Sequence, residues 1–184
     1  MNGAMRSVFS LCGVFAVFLP LCALPAGAAE AKVIDNFHDW TAFAEKEGGK
    51  KVCYMASAPE KAEGKYRKRD DPYVLVTHRP AEKSIGVVSV RAGYTYKKDS
   101  DVEVNIDGQR FTLFTDAGQA WARDTKTDRA LVRAMKGGLA MIVAGISSRG
   151  TLTTDSYSLN GFTAAYDAIT RACGVIPRSA DHGS

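Results

Sequence analysis

The side chains that most often carry out chemistry in proteins are sparse in this sequence and stand apart from one another. The three histidines are His38, His78 and His182, and none lies at metal-ligand spacing from another histidine or from a cysteine. The sequence holds no Gly-x-Ser-x-Gly elbow and no Cys-x-x-Cys motif. A lone histidine at a strand end is typical of a structural residue, because catalysis also needs a placed nucleophile and an orienting partner. We therefore predict no metal site, no cofactor and no catalytic residue.

Two pairs of acidic residues could in principle flank a glycosidic bond, as in sugar-cleaving enzymes. They are Asp70 with Asp71 and Asp99 with Asp101. Neighbouring acids in polar turns are more typical of a solvated surface, so we expect no activity from them. A periplasmic hydrolase acting on envelope glycans through a carboxylate pair stays open as an alternative. It requires a cleft with two acids, at least one of which has a raised pKa.

The first 28 residues have the pattern of a signal peptide. Arg6 precedes an apolar run over residues 8–24, and Ala26-Gly27-Ala28 supplies the small residues of a cleavage site. The alternative is an uncleaved membrane anchor, but Pro20 breaks the run and its length is short for a spanning helix. We predict export, a signal peptide at 1–28, no membrane span after cleavage, one β-rich domain at 29–176 and a flexible tail at 177–184.

Cleavage after Ala28 removes Cys12 and Cys22 and leaves Cys53 and Cys173. An even pair in an oxidising compartment predicts a disulfide between them, and the alternative is a pair of reduced, buried cysteines. Because the two are far apart in sequence, the bridge would contribute roughly 4 to 5 kcal/mol to stability in the chain-entropy model.

Residues 59–72 form a polar segment in which basic and acidic side chains are mixed. We interpret it as a mobile surface loop that could contact a lipid headgroup, a glycan or an acidic partner. The alternative is a solvated connection whose charges nearly cancel. The net charge of +4 is too mild to indicate a nucleic-acid-binding protein. The candidate binding residues are Lys61, Lys65, Tyr66, Arg67, Lys68 and Arg69.

The elements that must position these residues are mostly strands. Alternating apolar residues between turn signals predict roughly seven to nine strands. One hairpin spans residues 39–56 across Gly48-Gly49, and another spans 102–114 around Asp107-Gly108. The continuous apolar run at 139–146 predicts a strand covered on both faces. Further strands are predicted at 73–78, 85–91, 120–123 and 150–160.

Two helices are predicted beside the strands. One is a short helix with Thr127 as its amino-terminal cap. The other starts at Phe162, is capped by Ser158 or Asn160, and is closed by Gly174. Its apolar stripe requires a sheet to lie on. The fold class is therefore mainly β: an antiparallel sandwich or flattened barrel with a short helix and a C-terminal helix packed on the sheet.

Three stretches of the sequence together resemble the invasion-associated locus B family of exported bacterial proteins. They are Asp39-Trp40-Thr41, Val52-Cys53-Tyr54-Met55, and the run from Thr154 to Phe162 with the Ala172-Cys173 pair beyond it. The resemblance covers residues 37–173. It implies a periplasmic or envelope-associated β-sandwich protein, linked in some pathogens to entry into host cells, with no established enzymatic reaction. Many members carry a further cysteine soon after the tryptophan, whereas residues 41–52 contain none here.

Three functional hypotheses follow from these observations. We favour a non-enzymatic binding protein that is either located in the periplasm or outer envelope or secreted. Its partner would be an unidentified protein, glycan or lipid headgroup at the envelope or the host surface. The alternatives are the glycan hydrolase described above and a periplasmic inhibitor or chaperone-like protein that uses an exposed loop or edge strand.

Overall fold

The computed structural model describes residues 31–176. The predicted signal peptide, with Cys12 and Cys22, and the predicted tail at 177–184 lie outside the described residues. Within them, no helix has both the length and the apolar character needed to cross a membrane.

Eleven strands form one antiparallel sheet. In chain order, β1 to β6 are Lys32–Phe37, Trp40–Glu47, Lys50–Ser57, Lys61–Gly64, Tyr73–Arg79 and Ser84–Arg91. The remaining strands, β7 to β11, are Asp101–Ile106, Gln109–Asp116, Gln119–Trp121, Ala140–Ile146 and Leu152–Ser158. A single turn of 3₁₀ helix, Pro80–Glu82, joins β5 to β6. The strands lie in the order β1-β2-β3-β5-β6-β9-β8-β7-β10-β11-β4, so β1 and β4 form the two edges and the sheet is open.

The sheet bends so that its two halves share one hydrophobic core. Met55 and Val76 from the first half belong to the same buried cluster as Leu113, Met141 and Tyr157 from the second. The two halves also meet at one end, where the buried Trp40 indole donates a hydrogen bond to the Ser158 carbonyl oxygen at 3.1 Å. The mainly β, antiparallel fold class expected from the sequence is confirmed, with two helices beside the sheet.

The first helix, α1, spans Thr125–Gly137 and packs on β6 and β8. The prediction that Thr127 caps it is wrong, because the Asp124 carboxylate accepts the Thr127 backbone N–H at 2.7 Å and is the cap. Asp128 lies in the first turn of α1, where its buried carboxylate accepts the Val88 N–H at 2.9 Å. Burial raises the pKa of Asp128, and this hydrogen bond limits the rise.

The second helix, α2, spans Phe162–Ala172 and covers strands β1, β2, β3 and β5. Its cap is not Ser158 or Asn160 but Gly161, which makes no side-chain hydrogen bond. Gly161 has φ +90°, and a Cβ there would lie 1.9 Å from the Phe37 carbonyl oxygen, so close contact with β1 demands glycine.

A disulfide bond joins the end of α2 to the sheet. Cys53 in β3 and Cys173 just after α2 are bonded, with a Cα–Cα distance of 5.8 Å. The predicted pairing is therefore confirmed. Gly174 follows with φ +62°, the left-handed closure that the sequence predicted.

Two strand predictions need correction. Strand β10 is not covered on both faces: Met141 and Val143 are buried, but Ile142 between them is 44% exposed. Strands β1 and β4 were not predicted, since both are exposed edge strands with no alternating apolar pattern. The segment 59–72 is therefore not simply a loop, because its first part pairs with β11.

Candidate functional site

The predicted binding residues lie on a segment that is fixed at both ends. Lys61 is in β4, which pairs with β11 over four residues. At the other end, the Asp70 backbone N–H donates to the Gly93 carbonyl at 3.0 Å. Gly93 has φ +74°, and a Cβ on it would lie 1.9 Å from the Asp70 oxygen, so only glycine permits this approach. Backbone hydrogen bonds therefore anchor both ends of the segment, and residues 65–68 form an exposed tip between them.

Arg69 is the internal anchor of this segment rather than an exposed cation. Its guanidinium makes two hydrogen bonds to the Asp155 carboxylate of β11, and both side chains are 3% exposed. Its Nε also donates to the Ala92 carbonyl oxygen at 2.5 Å. Burial alone would lower the pKa of Arg69, but the bonds to Asp155 outweigh burial and raise it. Arg69 is therefore charged, buried and paired.

Tyr66 and Tyr94 hold the Arg69 guanidinium between their rings. The guanidinium carbon lies 5.5 Å from the Tyr66 ring centre and 5.0 Å from the Tyr94 ring centre. The Tyr66 hydroxyl donates to the Ala62 carbonyl, and the Tyr94 hydroxyl is 2.6 Å from the Thr153 hydroxyl. Tyr66 is 38% exposed, so one edge of its ring remains available to a ligand.

Lys65, Arg67 and Lys68 are exposed, and they line a groove of about 550 Å³. Its opposite wall is the turn between β10 and β11, where Arg149 stands at the tip. We call this the basic groove. None of its four exposed cations makes an ion pair within residues 31–176. One acidic residue, Asp70, also lines the groove. The hydroxyl groups along it belong to Tyr66, Tyr94, Thr95, Ser147, Ser148, Thr151 and Thr153.

Hydrogen bonds also fix the backbone of the β10–β11 turn. The Ser148 N–H donates to the Thr95 carbonyl at 2.8 Å, and the Thr151 N–H donates to the Ser147 hydroxyl oxygen at 3.1 Å. The backbone is therefore held on both sides of Arg149. Arg149 was not among the predicted binding residues, because nothing in the sequence places residue 149 beside residues 65–68. Only the pairing of β4 with β11 does so.

A second groove, of about 680 Å³, lies on the outer face of β2, β3 and β5. Phe43 and Tyr54 stack in it with ring centres 4.9 Å apart. Glu45 and Glu47 also line it, and Arg79 makes two hydrogen bonds to Glu47. We call this the outer groove. The outer groove was not predicted from the sequence. One signal was present, because Phe43, Glu45 and Glu47 are spaced two residues apart and therefore lie on the same face of a strand.

The pKa values of these two glutamates are shifted in opposite directions. Burial, and then the neighbouring Glu47, raise the pKa of Glu45, whereas hydrogen bonding to Arg79 lowers the pKa of Glu47. Glycoside cleavage requires two carboxyl groups about 5 Å or more apart with a sugar between them. Glu45 and Glu47 are neighbours on one face of β2, the Glu47 side chain is 51% exposed, and the Glu47 carboxylate is paired with Arg79.

The acid pairs considered from the sequence do not form a catalytic arrangement. Asp70 and Asp71 are exposed, and Asp70 bonds through its backbone. Asp101 is paired with Arg123 at the surface, and Asp99 occupies a turn with φ +58°. No group of three or more His, Cys, Asp or Glu side chains in residues 31–176 is arranged to hold a metal ion.

Of the histidines, His38 lies exposed at the β1–β2 turn and His182 lies outside the described residues. His78 is fully buried, and its hydrogen bonds define its tautomer. Its Nδ1 accepts the Gly86 N–H at 2.9 Å, while its Nε2 lies 3.0 Å from the Thr170 hydroxyl. Because that hydroxyl donates to the Tyr166 carbonyl oxygen at 2.7 Å, Nε2 must carry the proton. His78 is thus a neutral structural residue that links β5 and β6 to α2.

Acid should weaken the fold through His78. Burial lowers the pKa of His78 to about 4, whereas in the unfolded chain it is about 6.5. As the pH falls below about 6.5, the unfolded state binds a proton that the native state does not, so stability drops by about 3 kcal/mol by the time the pH reaches about 4. Urea unfolding of the native protein and of His78→Gln at several pH values measures this loss. The difference between the unfolding free energies of the two proteins should become smaller as the pH falls from about 6.5 to about 4. If the two free energies instead changed in parallel with pH, His78 would not be the buried neutral group responsible for the loss.

Comparison with known proteins gives results for both sequence and fold. The model of the Invasion associated locus B (IalB) protein family matches residues 40–170. No curated protein matches the sequence significantly. Among solved structures, the fold is similar to the crystal structure of invasion associated protein B from Bartonella henselae, with a TM-score of 0.50 and 17% identity, covering 79% of this chain and 97% of that one. Because the family model matches most of the chain, from β2 through α1 and β11 into α2, the chain belongs to the invasion-associated locus B family.

Proposed function

We propose that this protein is an exported, non-enzymatic binding protein of the bacterial envelope, and that its basic groove holds the phosphate-bearing headgroup of an envelope lipid. The signal peptide at 1–28 directs export and is then removed, which places the domain at 29–176 in the periplasm or outside the cell. Family membership and the Cys53–Cys173 disulfide support this location, since disulfides persist in oxidising compartments. By binding the same type of phosphate headgroup on a host membrane, the basic groove would also contribute to host-cell interaction.

The observation that carries the proposal is the set of four unpaired cations in the basic groove. Lys65, Arg67 and Lys68 line one wall of the groove, and Arg149 lines the other together with the hydroxyl groups of Ser147, Ser148 and Thr151. Guanidinium, ammonium and hydroxyl donors are the groups that bind phosphate oxygens. Arg69 does not contact the ligand in this proposal; its buried bond to Asp155 holds the wall in place.

Vesicle flotation tests this function. The mature protein should float with phosphatidylglycerol vesicles at low salt and much less at high salt, because screening weakens exposed charges. Each basic residue near an anionic surface contributes about 1 kcal/mol, so replacing four should lower affinity by about a hundredfold or more. The test variant changes the four exposed cations of the groove to Gln: Lys65, Arg67, Lys68 and Arg149.

A matched control changes four exposed cations on the helices, which lowers the net charge equally. Its expected effect on flotation is small. If the control loses as much binding as the test variant, attraction to net charge replaces the groove as the explanation. Undiminished flotation of the test variant would remove the groove altogether. The control positions are Lys126, Arg129, Arg133 and Arg171, all exposed and outside the basic groove.

A further inference from the structure

The outer groove and the basic groove have opposite electrostatic character. The outer groove is lined by Asp39, Glu45 and Glu47 against one cation, Arg79, and Arg79 is already bonded to Glu47. The protein as a whole carries a net charge of +4. This acidic, aromatic groove therefore stands out against a basic chain, and its chemistry is distinct from that proposed for the basic groove.

Glu45 and Asp39 are the carboxylates in this groove that make no ion pair in the described part of the chain. Glu45 is half-buried on the outer face of β2. Glu47, two residues further along the same face, repels the Glu45 carboxylate, and Arg79 attracts it more weakly. A positive ligand beside Glu45 would remove an electrostatic cost that the free protein bears.

Aromatic rings line the region beside Glu45 where that ligand would bind. Phe43 of β2 is directly opposite Tyr54 of β3 in the register, and their rings stack nearly in parallel, at 16°. Tyr73 of β5 lines the same groove, and Leu75 adds an apolar surface beside it. Burial is the main cause that raises the pKa of Tyr54, and the nearby charges of Glu45 and Tyr73 raise it further. Rings and carboxylate therefore converge on one region of the groove.

From this geometry we propose that the outer groove binds a quaternary ammonium group, with its methyl groups against Phe43, Tyr54 and Tyr73 and its charge beside Glu45. Aromatic faces attract cations through their quadrupole, and a methylated ammonium is weakly hydrated and apolar at its surface. The trimethylammonium group can come from a free solute or from a choline-type lipid headgroup, and the experiment separates these sources.

Calorimetric or NMR titration of the mature protein with choline tests the site directly. The expected dissociation constant is on the order of millimolar, as for a shallow, solvent-open cation site. The neutral isostere 3,3-dimethylbutanol has the same shape without the charge and should bind about tenfold more weakly or not at all. Equal binding of the two compounds would overturn the proposal.

Two variants locate the interaction, and the charge variant has a matched control. Glu45→Gln should weaken choline binding about fivefold, whereas Glu103→Gln, an exposed acid on β7, should leave it unchanged. Phe43→Leu keeps an apolar side chain but removes the ring, and should weaken binding about threefold. Thermal unfolding confirms that each variant is folded. Choline binding that survives both changes contradicts the site.

Phosphatidylcholine vesicles identify the source of the ligand. Flotation that Glu45→Gln reduces assigns the groove to a lipid headgroup, whereas choline titration without flotation assigns it to a free solute. The variant with the four basic-groove cations changed to Gln should bind choline normally. The failure of one proposal therefore leaves the other standing.

Discussion

Removing the Cys53–Cys173 disulfide should lower the free energy of unfolding by about 4 to 5 kcal/mol. The bridge spans 120 residues, and closing a loop of that length restricts the unfolded chain by about this amount. A domain with a total stability of roughly 5 to 15 kcal/mol loses a large share of it. At about 2 to 4 °C per kcal/mol, the melting temperature of the double variant Cys53→Ser, Cys173→Ser should fall by about 10 to 20 °C.

The physical reason lies in what the bridge holds together. Cys53 is in the interior of β3, and Cys173 ends the helix that covers Trp40 and the rest of one face of β2. Phe162 of α2 lies edge-to-face with Trp40, with 5.0 Å between the ring centres. Without the bridge, α2 is held only by such contacts, so its carboxyl end should open first, before global unfolding.

Reductant provides the control for this prediction. Dithiothreitol should lower the stability of the native protein and leave that of the double-serine variant unchanged. Alkylation after denaturation checks the bond itself: the native mature chain should take up two alkyl groups only after reduction. Uptake without reductant would show that the bond does not form in solution.

The sequence predicted elements whose signals are local. Asp107-Gly108 lies between two alternating runs, and the structure places it at the β7–β8 turn. Gly48-Gly49 likewise marks the β2–β3 turn. The stripe from Phe162 to Ala172 predicted α2, since a helix that packs on a sheet carries its pattern along its own length.

What the sequence did not reveal depends on residues that meet across strands. Arg69 looks like one more cation in a charged segment, and only the pairing of β4 with β11 brings it over Asp155. One signal was available: Thr153, Asp155 and Tyr157 alternate along β11 and share its inner face. A buried aspartate requires a cationic partner, so this register predicts that a nearby arginine folds inward.

The same reasoning applies to the two grooves. The basic groove needs residues 65–68 and Arg149 on neighbouring turns, and the outer groove needs side chains from three strands, among them Tyr54 and Tyr73. In the sequence, each residue that lines one of these grooves has the character of an ordinary surface residue. Neither groove has a motif, because the spacing between its members depends on the sheet order and not on the chain.

Breaking the Arg69–Asp155 pair should be almost as damaging as removing the disulfide. Arg69→Met leaves the Asp155 carboxylate buried without its partner, and removing one member of a buried pair costs about 3 to 5 kcal/mol. The Ala92 carbonyl oxygen also loses its donor, Arg69 Nε. For comparison, Arg123→Met breaks the exposed pair with Asp101 and should cost about 1 kcal/mol or less. Urea unfolding of the two variants measures both effects.

A double variant separates the charge of this pair from its packing. Asp155→Leu combined with Arg69→Met removes both charges at once, so the double variant should be more stable than either single variant. A loss in the double variant equal to the sum of the two single losses would show that the two side chains act independently. Because Arg69 holds residues 65–68 against the turn that carries Arg149, the folded double variant should also bind phosphatidylglycerol vesicles more weakly, although all four groove cations remain. Retained binding in that variant would mean that the loop needs no internal anchor to form the basic groove.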